Sequence, residues 1–126
     1  MRGLTDASNA FDQVTKWWSM WPHAGIAVAT GPESGIVVVD VDPRDGGDVE
    51  LQELVIQHGQ FPAGMAYLTG SGGEHYWFRH PGRKILSHKL AGQKGIDIKA
   101  DGGYVIVPPS VHYTGASYQF YEGYWQ

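Results

Sequence analysis

Apolar residues recur at helical spacing in two segments of the first half of the chain. The first begins at Ser8 or Asn9, either of which can cap a helix, and continues to about Met20. The second begins at Asp48 as its cap and ends near His58. We interpret the stripe on the first helix as core packing and not as a base-stacking platform; it consists of Phe11, Val14, Trp17, Trp18 and Trp21.

Short apolar runs bounded by glycine, proline and aspartate predict strands elsewhere. The turn Asp101-Gly102-Gly103 predicts that the strands 96–99 and 104–107 form a hairpin. A basic, irregular stretch at 83–94 is predicted to be a mobile loop. Strands outnumber helices, so we expect an α+β fold with a mainly antiparallel sheet and flanking helices. The predicted strands are 25–29, 35–41, 65–68, 74–79, 96–99, 104–107 and 118–121.

Composition narrows the class of protein. The 126 residues suit one domain, and 42% hydrophobic residues supply a core. The absence of cysteine excludes a disulfide scaffold and a thiolate zinc site. A net charge of −4 argues against nonspecific coating of nucleic acid, although acidic residues clustered around metals remain compatible with a nucleic-acid enzyme. No bilayer-spanning run or signal peptide is evident, so we expect a cytoplasmic protein without a membrane partner.

Two carboxylates lie at the end of the clearest apolar run, which extends from Gly35 to Val41. Because strand side chains alternate between faces, Asp40 and Asp42 are expected to project to the same side. Two such carboxylates repel each other, and a divalent cation between them removes the repulsion. Oxygen ligands suit Mg²⁺ or Mn²⁺, so the pattern favours a metal site. The alternative is a solvated strand end that leads into a turn.

Two further motifs carry candidate chemistry. In the glycine-rich turn 69–74, successive N–H groups can form an anion nest, and His75 follows at the start of a strand. The alternative is a glycine hairpin followed by a structural histidine. In the strand 96–99, Asp97 and Lys99 share one face, where a third metal ligand and a phosphate-binding cation would be needed. The alternative there is an exposed, salt-paired edge strand.

The order of these motifs resembles the primase–polymerase family, the bifunctional DNA primase/polymerase domain of viral, phage and plasmid replication proteins. The order is Asp-x-Asp, Gly-Gly-x-His, a hydrophobic strand containing Asp97, and Gly-Gly-Tyr-Val-Ile-Val-Pro-Pro-Ser-x-His. The tryptophan segment and the run from Gly25 to Gly31 also resemble that family. The resemblance extends from about Thr5 to Tyr121 and implies an archaeo-eukaryotic primase, RRM-like catalytic core.

The resemblance implies roles for individual residues. The catalytic, metal-binding set that it implies consists of Asp40, Asp42 and Asp97. The nucleotide-binding set that it implies consists of Ser71, Gly72, His75, Lys99, Ser110 and His112. The last two would lie in the segment that closes the site.

The implied activity is two-metal nucleotidyl transfer with Mg²⁺ or Mn²⁺, by which nucleoside triphosphates are joined on a single-stranded DNA template. A helicase or another replication protein is an expected partner, and the expected location is the cytoplasm of a bacterial, archaeal or phage-infected cell. The family usually carries a further N-terminal helix and strand, which we expect to be missing here, so residues 1–126 form one N-terminally short domain. A non-catalytic nucleotide- or DNA-binding remnant and a metal-dependent nuclease are the alternative functions.

Overall fold

The computed structural model describes residues 3–61 and 64–121 and has an α+β architecture, as predicted. Every ladder between its strands is antiparallel, and the parallel contact at Leu86 and Asp101 is an isolated bridge. No helix in the described ranges is long and apolar enough to cross a membrane. The elements are α1 (Phe11–Met20), β1 (Ile26–Ala29), β2 (Ile36–Val41), α2 (Gly47–His58), β3 (Ala66–Leu68), β4 (Glu74–Arg79), β5 (His88–Lys89), β6 (Ile96–Lys99), β7 (Tyr104–Val107) and β8 (Gln119–Phe120).

Six strands form the main sheet in the order β5-β6-β2-β4-β3-β8, so that β2 lies between β6 and β4. The valine run of β2 suits this central place, because Val38 and Val41 are almost completely buried. Helix α2 covers one face of the sheet, where its apolar side chains approach Val39, Ile96 and Ile98. Its start is tied to the start of β6, since the Glu50 carboxylate accepts hydrogen bonds from the N–H groups of Lys94 and Gly95.

The second sheet consists of β1 and β7 and lies over the other face of the main sheet. The predicted hairpin between 96–99 and 104–107 is therefore wrong, because the turn between them carries the chain from one sheet to the other. The Asp101 carboxylate in that turn contacts His80 at 2.7 Å and accepts a hydrogen bond from the N–H of Ile85. The turn thus anchors the end of β4 and the basic loop, and β7 pairs with β1 instead of β6.

The tryptophan helix differs from its prediction. Helix α1 has no buried residue, and the exposed fractions of Phe11 and Trp21 are 82% and 47%, so the interpretation as core packing is wrong. The three tryptophans of the stripe instead border an apolar groove of about 510 Å³ beside β1. Strand β1 presents only the small side chains of Ala27 and Ala29 to that groove, which leaves the apolar space open.

The predicted helix caps are also wrong. The N-cap of α1 is Ala10, whose N–H is bonded to the Ser8 hydroxyl, so neither predicted cap residue occupies the cap position. Helix α2 begins at Gly47 with Gly46 as its N-cap, which places Asp48 inside the first turn. The segment predicted to be a mobile loop contains the short strand β5, which pairs with β6.

Candidate active site

One row of mostly polar side chains crosses the main sheet on the face that lies under β1 and β7. In the strand registers, Asp40 of β2 lies opposite Asp97 of β6 on one side and opposite His75 of β4 on the other. The row continues from Asp97 to Lys89 of β5 and from His75 to Tyr67 of β3. Residues that lie directly opposite each other project from the same face, so these five residues form one surface feature, the polar row.

A cavity of about 280 Å³ opens above the polar row. Asp40, His75 and Lys99 line it from the main sheet. Strand β7 and the segment after it close the other side through Tyr104, Val105, Ile106 and Tyr118. The Lys99 ammonium has no ion-pair partner among the described residues, so its positive charge is available to a bound anion.

Two tyrosines in or next to the cavity, Tyr67 and Tyr118, have a raised pKa, mainly because they are buried. Burial raises the pKa of the Tyr118 hydroxyl, and the negative charge of Asp40 raises it further. Burial also raises the pKa of Tyr67, with a smaller contribution from Asp40. Both phenols therefore stay protonated and neutral near neutral pH.

Each of the three predicted metal-binding carboxylates has a basic partner. Asp40 Oδ1 lies 3.3 Å from His75 Nε2, and Asp97 Oδ1 lies 3.2 Å from Lys89 Nζ. Asp42 follows β2, and its carboxylate accepts hydrogen bonds from the Arg44 guanidinium at 2.9 and 3.1 Å. This bonding holds the pKa of the Asp42 carboxyl below its usual value.

The fit of the carboxylates to a metal ion is mixed. Asp40 and Asp97 lie opposite each other on adjacent strands, where like charges destabilise a sheet unless a cation offsets them. That pair fits a divalent cation with oxygen ligands. The Asp42 side chain is held by Arg44, and within residues 3–61 and 64–121 no three histidine or acidic side chains converge on a common metal position. The set of three carboxylates therefore stays a prediction.

The glycine-rich segment forms the turn between β3 and β4, next to the polar row. The N–H of Gly73 donates to Thr69 Oγ1, and the N–H of Gly72 donates to the Thr69 carbonyl. The Ser71 hydroxyl lies 3.2 Å from Thr69 Oγ1. Two of the N–H groups expected in an anion nest are thus bonded within the turn, and the phosphate role of Ser71 and Gly72 stays a prediction.

The segment after β7 brings the last two predicted residues to different places. The Ser110 hydroxyl is buried and accepts a hydrogen bond from the N–H of Ile26 at 2.7 Å, which ties this segment to β1. The His112 side chain packs against Gly70, where an added Cβ would collide with it, and its ring lies 6.4 Å from the ring of Tyr118. His112 thus lies beside Tyr118, which lines the cavity, and Ser110 bonds to the backbone of β1.

Sequence reasoning missed two residues of this region. The sequence pattern predicts a strand at Tyr67 but no role for its hydroxyl, and it does not predict that Arg44 pairs with Asp42. The spacing of Asp42 and Arg44 in a turn was an available signal, because short-range pairs of opposite charge are common there. Tyr67 gave no comparable signal, since its partners depend on the register between β3 and β4.

Comparison with known protein families shows a match over nearly the whole chain. The model of the family described as bifunctional DNA primase/polymerase, N-terminal, matches residues 1–124 of the 126-residue chain. No curated protein matches the chain.

Proposed function

Starting from the fact that the chain belongs to the bifunctional DNA primase/polymerase N-terminal family, we propose that it catalyses metal-dependent nucleotidyl transfer on a single-stranded DNA template. The reaction joins a nucleoside triphosphate to a primer or, at the start of a strand, to a second nucleotide. We place this activity in replication of the viral or plasmid type.

The observation that carries the proposal is the cavity above the polar row. It combines a carboxylate, a histidine and a lysine that has no ion-pair partner among the described residues, which suits a metal-bound triphosphate. Lys99 provides a positive charge for phosphate oxygens, and His75 lies opposite Asp40 in the same space. We assign the remaining triphosphate contacts to Ser71, Gly72, Ser110 and His112.

Asp40 and Asp97 are the carboxylates that would hold Mg²⁺ or Mn²⁺, consistent with a family that is generally metal-dependent. When bound, such ions lower the pKa of the attacking hydroxyl and stabilise the leaving pyrophosphate. Asp42 joins them only when its pair with Arg44 opens. The protein residues then hold the phosphates, orient the hydroxyl and limit the access of water from the β7 side.

A primer-extension assay tests the proposal, with Asp40→Asn as the variant because the amide keeps the shape of the side chain. We expect template-dependent extension by the wild type and a loss of about 100-fold or more in the variant. Asp12→Asn on the exposed face of α1 is the matched control and should extend normally. Extension that survives Asp40→Asn would refute the assignment, and release of nucleotides from a labelled strand without triphosphate would point to a nuclease.

One observation favours a second candidate, a module that binds nucleotides without joining them. Two of the three carboxylates, Asp42 and Asp97, already have a cationic partner in the chain, which offsets their charge without a metal. Metal-independent triphosphate binding with no extension on any template would support this candidate. Extension that depends on Asp40 would exclude it.

A further inference from the structure

We propose that Tyr67 is a positioning residue for His75, which fixes the ring tautomer so that Nδ1 is protonated and Nε2 is the atom presented to Asp40 and the cavity. This inference rests on the proposed function for its purpose, because the positioned atom serves the triphosphate or its metal. The hydrogen-bond geometry that supports it does not depend on that function.

The Tyr67 hydroxyl is the centre of three hydrogen bonds in the core. The side chain is completely buried, and Oη lies 2.8 Å from the Ile106 carbonyl oxygen, 2.9 Å from His75 Nδ1 and 3.2 Å from Trp77 Nε1. A carbonyl oxygen only accepts, and an indole N–H only donates. The single hydroxyl proton is therefore directed to Ile106, and Tyr67 Oη accepts from Trp77.

These directions decide the protonation of the histidine nitrogen that faces Tyr67. With its proton committed to Ile106, Tyr67 Oη has only a lone pair left for His75, so Nδ1 must be the donor. A buried hydroxyl whose bonds are all satisfied is costly to rearrange, which makes this direction stable. These hydrogen bonds run from β7 through Tyr67 to His75 and thereby connect the second sheet, formed by β1 and β7, to the polar row.

The consequence for the site concerns the other ring nitrogen. His75 Nε2 lies 3.3 Å from Asp40 Oδ1 and belongs to the side chain that lines the cavity. Because Nδ1 is occupied by Tyr67, the imidazole meets the cavity through Nε2, which accepts from a hydroxyl or binds a cation when bare and donates to Asp40 or a phosphate oxygen only when protonated. Tyr67 acts through His75 and does not line the cavity.

Nitrogen-15 NMR of histidine-labelled protein tests the inference directly, since ring shifts distinguish a protonated from a bare nitrogen. In the wild type we expect a protonated His75 Nδ1. In Tyr67→Phe this nitrogen loses its acceptor, and we expect the Nε2–H tautomer to become the major neutral form. We also expect triphosphate to bind roughly tenfold more weakly in this variant.

Two further variants control for the loss of a tyrosine hydroxyl and of a neighbouring hydrogen bond. Tyr76→Phe removes a hydroxyl that donates to Glu74 on the opposite face of β4 and should leave the His75 shifts unchanged. Trp77→Phe removes only the second donor to Tyr67 and should keep Nδ1 protonated. If Tyr67→Phe does not fold, the wild type alone still tests the inference, because a bare His75 Nδ1 would overturn it.

The outcomes separate this inference from the proposed function. A bare Nδ1 in the wild type, or the same tautomer in the wild type and Tyr67→Phe, would overturn the positioning role even if triphosphate binds. A protonated Nδ1 that is lost in Tyr67→Phe supports the role. If that pattern occurs and the wild type binds no triphosphate, the proposed function fails while the assignment of the tautomer stands.

Discussion

The centre of the main sheet and the tryptophan helix α1 differ in how their side chains find partners. Around the polar row, the charged groups other than Lys99 are paired within the chain, and no buried side-chain nitrogen or oxygen in the described ranges lacks a hydrogen-bond partner. On α1, apolar side chains such as Phe11 and Trp21 remain exposed beside an open groove. The comparison teaches that the polar part of this fold is the rigid part, because its partners are fixed by strand register.

The largest expected effect is on the free energy of unfolding when Tyr67 is truncated. Tyr67→Ala removes a completely buried aromatic side chain and leaves the donors of His75 and Trp77 without an acceptor. We expect the free energy of unfolding to fall by about 3–5 kcal/mol. Urea unfolding followed by circular dichroism measures the change. A loss below about 1 kcal/mol would show that the centre of the sheet is not the rigid part.

The next effect concerns the basic partners of the carboxylates. Arg44→Ala removes the cation that holds the Asp42 carboxylate, and we expect Mn²⁺ to bind about two- to fivefold more tightly. Titration of Mn²⁺ followed by electron paramagnetic resonance measures the free ion. Arg83→Ala, a change of the same charge in the basic loop, is the control and should not alter the affinity. Equal or weaker Mn²⁺ binding in Arg44→Ala would contradict a metal role for Asp42.

A smaller effect is expected on the exposed side of the comparison. Trp21→Ala truncates a half-exposed side chain at the end of α1, so the free energy of unfolding should fall by no more than about 1 kcal/mol. The same urea measurement applies. A loss as large as that of Tyr67→Ala would mean that the tryptophan groove closes in solution, and the contrast between the two regions would disappear.

The smallest effect is the dependence of stability on pH at Asp42. Its folded pKa lies below the ordinary value, so its pair with Arg44 stabilises the fold above the unfolded pKa and loses this contribution as pH falls through the folded pKa. We expect wild type to exceed Asp42→Asn in stability at pH 7 and the difference to shrink below about pH 4. Thermal unfolding across this range measures it. A difference that grows on acidification would be opposite in sign to the account.

Local patterns in the sequence predicted the elements but not their partners. The valine run identified β2, and strand alternation predicted that Asp40 and Asp42 project to the same side. In the structure Asp40 lies on the face away from α2, and the Asp42 side chain is bonded to Arg44. The row that joins Asp40 to Asp97 and His75 depends on registers between distant strands, which a single sequence does not encode locally.

The incorrect predictions have the same origin. The Asp101-Gly102-Gly103 turn has the composition of a hairpin, yet β7 pairs with β1 because tertiary contacts, among them the bond from Tyr67 to Ile106, outweigh the local signal. The stripe on α1 has the periodicity of a core helix. Periodicity does not say whether large side chains lie beneath the helix to pack against it. Here β1 offers only small side chains, so the space beside the tryptophans stays open.

The central claim is that the cavity above the polar row binds a metal-bound triphosphate. Calorimetric titration of a deoxynucleoside triphosphate in the presence of Mn²⁺ tests it most directly, with the wild type, Asp40→Asn/Asp97→Asn and the exposed control Asp12→Asn. The account predicts Mn²⁺-dependent binding by the wild type and the control that the double variant loses while it remains folded. Binding that is unchanged in the double variant, or no binding by the folded wild type, would contradict the account.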